Sequence, residues 1–138
     1  MNVDLEVQKA IRARLIAASA VVALVPAGHI LDVNQRPAPV PSIILGESQS
    51  VDEGTSLRRS HVRVYHTAHV WQREASLEGV KAICGAIRAA IHTGRLSLPA
   101  GLHCADLRVS QVRFLRDPDG EHSHGVVTVE ALIAEVAP

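Results

Sequence analysis

The 138-residue chain balances 14 Lys and Arg against 14 Asp and Glu, so its formal net charge is zero. With no basic excess to neutralise phosphates, and one Trp, one Tyr and one Phe to stack on bases, it is not composed as a nucleic-acid binder. Its 47% hydrophobic content, nearly all Ala, Val, Ile and Leu, with 20% charged residues, describes one globular domain over residues 1–138 with an aliphatic core.

Residues 4–18 open the chain as a helix. Val7, Ile11, Leu15 and Ala18 recur at steps of three and four, while Glu6, Lys9, Arg12 and Arg14 are mostly on the wet side. Asn2 or Asp4 can cap its free amides. Ser19 offers a cap for a second short turn, which Pro26 and Gly28 stop. The Ala- and Val-rich stretch 15–25 is interrupted by Ser19 and falls short of the roughly 18 apolar residues of a membrane span. Asp4 and Glu6 stand where a secretory leader would be positive, so a soluble protein made in a reducing compartment is expected.

Three prolines in residues 36–41 forbid helix and hold an extended arm that leads into a short strand, 42–45, closed by Gly46. Residues 47–59 have no apolar period and read as an exposed loop. Its first half is acidic (Glu47, Asp52, Glu53) and its end is basic (Arg58, Arg59). Two readings stand: a solvated connection, or a partner-binding arm that orders on assembly.

A strand over 60–67 should return antiparallel to the first, with Val62 and Val64 on one face and His61, Arg63 and Tyr65 on the other. A long helix follows, its stripe made by Leu77, Val80, Cys84, Ile87 and Ile91 and roughly 21 Å long. Gly94 is placed to end it. A strand over 107–116 is read with Leu107, Val109 and Leu115 on one face and Val112 and Phe114 on the other. The turn Asp117-Pro118-Asp119-Gly120 then leads into a last strand, 125–133. The fold class is therefore α+β, a small mainly antiparallel or mixed sheet of about four strands with two main helices packed on one face.

Little of this carries chemistry. The eight histidines include the pairs His66/His69 and His122/His124, but each pair supplies at most two of the three or four converging ligands a metal needs. Cys84 lies in the helix stripe, where a thiol is inert, and Cys104 stands beside His103, whose side chain in a strand points the other way. Gly79 and Gly85 lack phosphate-loop spacing, and Gly85 is expected to serve close packing against another backbone. No catalytic, cofactor or metal constellation is assigned, and the chain is read as a non-enzyme. A metal- or thiol-dependent enzyme and a generic α+β adaptor in a non-viral complex are the alternatives.

The order of the N-terminal helix, the Ala-Val-Val-Ala-Leu-Val turn, the proline arm and the Ile43-Ile44-Leu45-Gly46 strand resembles the small phage tail-completion proteins. So do the strand from Arg59 to Val64, the alanine-rich helix over 74–92, and the closing Asp117-Pro118-Asp119-Gly120 hairpin running into His124-Gly125-Val126-Val127. These are the tail-terminator, or head–tail joining, proteins of long-tailed phages, prophages and gene transfer agents. Trp71 departs from that pattern, lying nearer the helix than the Trp many relatives carry just after the second strand. The resemblance implies a structural subunit of a six-fold ring that caps the tail tube and docks it to the head connector or stopper. It implies a virion or phage-like particle as location, with manufacture in the bacterial cytoplasm. DNA would cross the lumen without sequence-specific binding, and no membrane or cofactor is implied. In that setting Glu47, Asp52, Glu53, Arg58 and Arg59 are the candidate partner-binding residues.

Overall fold

A computed structural model describes residues 2–33, 38–54 and 57–136. Arg36 and Pro37 of the expected proline arm, and Thr55 and Ser56 of the expected loop, lie outside the described residues. Helix α1 (Val3–Ala17) is followed by a one-turn helix α2 (Ser19–Val22) and a 3-10 turn, Ala27–His29. Five strands and a third helix follow: β1 (Ile30–Leu31), β2 (Ser42–Asp52), β3 (His61–Arg73), α3 (Glu78–Ile91), β4 (Leu102–Arg116) and β5 (His122–Glu135). They form one mixed sheet in the order β1-β2-β3-β5-β4, antiparallel except for the β1–β2 pair. The α+β class with its main helices on the sheet is as expected. The fifth strand is the two-residue β1, too short to leave a period in the sequence.

The helices lie on one sheet face, here the inner face. In α3, Val80, Ile83, Cys84, Ile87, Ala90 and Ile91 are buried, with Leu77 half-buried at its start. Val7, Ile11 and Leu15 do the same for α1. They meet Val64, Ala68 and Val70 of β3 and Val127, Val129, Ala131 and Ile133 of β5 in a single core cluster. Each fully buried Val, Leu or Ile contributes about 1.5–3 kcal/mol, and these are the terms that hold helix to sheet.

Capping follows the sequence in part. The Asn2 side chain accepts from the Leu5 amide at 2.9 Å and starts α1. Glu74 reaches forward to accept the Gly79 amide at 2.7 Å and starts α3. Arg12 and Arg14 are half-buried rather than wet-facing. Arg12 donates to the Ile30 carbonyl at 3.0 Å. The Arg14 guanidinium donates to the carbonyls of Ile91 at 3.1 Å and Gly94 at 2.7 Å, and to that of Arg95. The Ile91 carbonyl is one that the end of α3 leaves without a helical partner, and those of Gly94 and Arg95 follow just beyond it, so one cation on α1 ties the two helices together.

Three strand expectations are corrected. The exposed loop expected over 47–59 begins late, because Glu47 to Asp52 continue β2 and pair with β3 as far as Asp52 opposite Val62. The strand expected to end at Thr67 runs to Arg73, so Trp71 sits within it. In β4, irregularities between Cys104 and Asp106 and between Val109 and Gln111 shift the register. Each extra residue resets the two-residue alternation. Val112 and Phe114 therefore join Leu107 and Val109 against the core, while Leu115 stays exposed.

Gly85 is also corrected. It is exposed, and a Cβ there would meet nothing within 4 Å. The close approach is instead at Gly125 of β5, where a Cβ would lie 2.7 Å from Cys84 Sγ and 2.9 Å from Val80 Cγ2. We predict opposite signs for the two positions. Gly85→Ala should stabilise by about 0.5–1 kcal/mol through helix propensity, and Gly125→Ala should destabilise by about 1–3 kcal/mol through overpacking. Urea denaturation of the two variants reads both; equal effects would refute the assignment.

Candidate interaction surface

With the helices on the inner face, alternate residues of β3 and β5 point outward from the sheet, and among the described residues no helix covers them. At one end of this outer face Trp71 stacks on its register partner His124, ring centroids 3.9 Å apart and planes within 6°. His124 in turn lies beside His69, centroids 5.1 Å apart. A hydrogen-bonded chain runs through them: Glu47 is 3.2 Å from His69 Nε2, and His69 Nδ1 is 2.9 Å from His124 Nε2. The carboxylate only accepts, so His69 Nε2 is the donor to Glu47, and one hydrogen bond links His69 Nδ1 with His124 Nε2. Gly46 makes room for this, since a Cβ there would lie 2.9 Å from the His69 ring. The group borders an open cleft of about 600 Å³ whose other walls include Asp32 and Ile44.

Burial first, then His69 and Arg113, hold the His124 imidazole down at about 4. Glu47 is held below the usual carboxylate range by its backbone hydrogen bond and by His69. His66 faces the other way. It is buried on the inner face, 3.4 Å from Gln8 Oε1, and burial lowers its pKa. The first histidine pair is therefore split between the two faces, His66 in the core and His69 outside.

The middle of the outer face carries ion pairs. Glu130 is 6% exposed, and receives Arg108 at 2.7 Å and Arg63 at 3.3 Å. Arg63 also holds Glu53 at 2.9 Å. The candidate residues from the sequence do not form one site. Glu47 belongs to the histidine cluster, whereas Asp52, Glu53, Arg58 and Arg59 lie at the far end of β2. There Asp52 pairs with Arg59 at 3.1 Å and accepts the Gly54 amide at 2.9 Å, and Arg58 is exposed beside Ser60 and Glu135. His69, Trp71, His124 and Glu130 are missing from the sequence list. The period-two alternation of β3, carried on past Thr67, was the signal that could have found the first two.

Burial pushes the Cys84 thiol up to about 12, which keeps it protonated and unreactive at neutral pH. Asp117, Asp119 and His122 bring one ligand atom each within 4.8 Å of one another. Asp119 is held down at about 2 by accepting the Glu121 amide at 2.8 Å and His122 Nδ1 at 2.6 Å. Those bonds, with the Gly120 amide on the Asp117 carbonyl at 3.0 Å, are those of a self-capped turn between β4 and β5.

The sequence matches the family described as "Tail completion protein gp17" over residues 9–134. No curated protein sequence matches. Among solved structures, a chain in the virion of a native gene transfer agent particle is similar, with a TM-score of 0.79 at 19% identity, covering 97% of this chain and 99% of that one. The gp17 protein of bacteriophage SPP1 is similar with a TM-score of 0.60 at 19% identity, covering 97% and 91%.

The depressed pKa of His124 has a stability consequence. The unfolded chain binds that proton at an ordinary value near 6.5, and the folded chain only at about 4. Stability from this residue is therefore complete above about pH 6.5 and falls as pH drops towards 4. His124→Phe keeps a ring on Trp71 and removes the proton. We expect its melting temperature to fall less steeply than that of the wild type between pH 6.5 and 4, measured by thermal unfolding at fixed salt.

Proposed function

The chain belongs to the tail completion protein gp17 family, and from that premise we propose that it closes the end of a phage-type tail tube as one subunit of a ring. As a family member it is a structural protein of a phage-like particle and assembles with other particle proteins. The observation that carries the finer reading is the extent of the match, residues 9–134, which leaves the whole α+β sheet as the unit doing the work. A ring of identical subunits needs a contact between two different surfaces, repeated by rotation until it closes. A sheet with its helices on one face and an edge at either end offers such surfaces. The ring would stop polymerisation of the tube by occupying its last layer and present its other side to the head connector or stopper. Six-fold symmetry, and DNA passing through the lumen without base readout, are parts of this proposal taken from the family resemblance.

The role proposed is structural rather than catalytic. Glu47, Asp52, Glu53, Arg58 and Arg59 remain the proposed partner-contacting residues, with the short connection between β2 and β3 presented towards tube or connector.

The expected outcome on purified protein is a closed ring by native mass spectrometry and negative-stain microscopy. Added to polymerising tail-tube protein, it should arrest tube growth. A stable monomer that binds neither tube nor connector proteins would overturn the reading.

A further inference from the structure

The two ends of the sheet are unlike each other. Among the described residues, β4 pairs only with β5, and β2 beyond Ile44 pairs only with β3, because β1 covers only Ile43 and Ile44. Each strand therefore leaves one row of backbone N–H and C=O groups without a strand partner. On β2 the regular stretch after its irregularity is residues 48–52; on β4 the regular stretch after its second bulge begins at Gln111 and runs to Arg116. These are five and six residues, each about 16–20 Å at roughly 3.3 Å per residue, so they match in length. Residues 47–52 are exposed throughout, unlike any other strand stretch of that length here.

Charge distinguishes the two edges. Residues 46–53 contain Glu47, Asp52 and Glu53 and no Lys or Arg, with Asp52 and Glu53 held by Arg59 and Arg63 from outside that stretch, whereas residues 111–116 contain Arg113 and Arg116 and no acid. Arg113 is exposed and makes no hydrogen bond or ion pair among the described residues. Each stretch also carries an exposed aliphatic side chain, Val51 on β2 and Leu115 on β4. Both point to the outer face, as their register partners Arg63 and His124 do. Paired edge to edge, the two strands would put these side chains on the same side of the join.

We propose that the ring contact is the free edge of β2 in one copy laid against the free edge of β4 in the next. The inference rests on the ring reading above. An edge meeting its own kind would set acid against acid or arginine against arginine, and like charges opposed across a strand pair are unfavourable. A closed two-fold dimer through one edge is thereby disfavoured, and the head-to-tail contact repeats round a ring.

The test is a charge exchange on the full chain. One variant carries Glu47→Lys, Gln49→Lys and Val51→Lys, which leave the Asp52–Arg59 pair intact and make residues 46–53 net basic; the other carries Arg113→Glu and Arg116→Glu. Circular dichroism and melting temperature establish that both are folded. Each variant alone should lose the ring that the wild type forms, because both its edges now have one sign. Their equimolar mixture should restore it as alternating subunits of an even-membered ring, read by native mass spectrometry. Rings from either variant alone, or no rings from the mixture, would overturn the edge contact and leave the ring reading standing. A wild type that never forms rings, with or without tail-tube protein, would overturn both.

Discussion

The structure depends on one close approach. At the crossing of α3 over the sheet, Gly125 leaves β5 without a side chain just where Cys84 and Val80 come down, at distances no Cβ would tolerate. That absence lets the helix sit low on the strand that lies between β3 and β4 in the sheet. Once α3 is seated, its buried stripe closes the inner face, and Arg14 of α1 has the helix end within reach for its row of carbonyl acceptors. Cys84 is therefore a packing atom. Its raised pKa is a by-product of the same burial.

Covering the inner face determines what remains for contact. The middle of the outer face is largely satisfied from within, because Glu130 lies beneath Arg63 and Arg108 and Arg63 turns on to Glu53. A buried carboxylate between two arginines has little left to offer a partner, and separating it from them would be costly. The exposed pairs around it are each worth about 0–1 kcal/mol, so their role is to occupy charges more than to add stability. The groups still free to bind lie towards the ends of the sheet: the histidine–tryptophan cleft, the exposed half of β2, and β4. For a tail completion protein this is a suitable division, with a closed centre and open margins.

The helices, the hairpin turn and the antiparallel return were legible because each writes a period or a turn chemistry into adjacent residues. What was not legible had physical causes. The second half of β2 has no apolar alternation because residues 47–52 are exposed, so nothing in Glu47-Ser48-Gln49-Ser50-Val51-Asp52 distinguishes a strand from a loop. Its pairing to β3 is written in β3. Two bulges in β4 broke the alternation that would have sorted Val112 and Phe114 correctly, and a bulge inserts a residue without a sequence mark of its own. The stack of Trp71 on His124 joins residues 53 positions apart, placed together by the β3–β5 register rather than by any local motif. Gly125 read as the first residue of a strand; only the helix above it shows why no side chain is there.

The zero net charge with which the sequence opens takes on a different meaning in three dimensions. Along the chain acids and bases are mixed, and a neutral total says only that the composition is not that of a phosphate binder. In the folded sheet part of that neutrality is the sum of an acidic margin on β2 and a basic margin on β4, at opposite sides of the strand order. A subunit with unlike ends and no net charge can be added to its own kind repeatedly without building up repulsion. Each addition hides one margin of either sign, so a closed ring would remain as neutral as its subunits while leaving no charged edge exposed. A strongly basic or acidic chain of the same fold would accumulate like charge with every copy added. Neutrality overall and polarity across the sheet thus suit the proposed head-to-tail ring, whose closure is set by the rotation between successive copies.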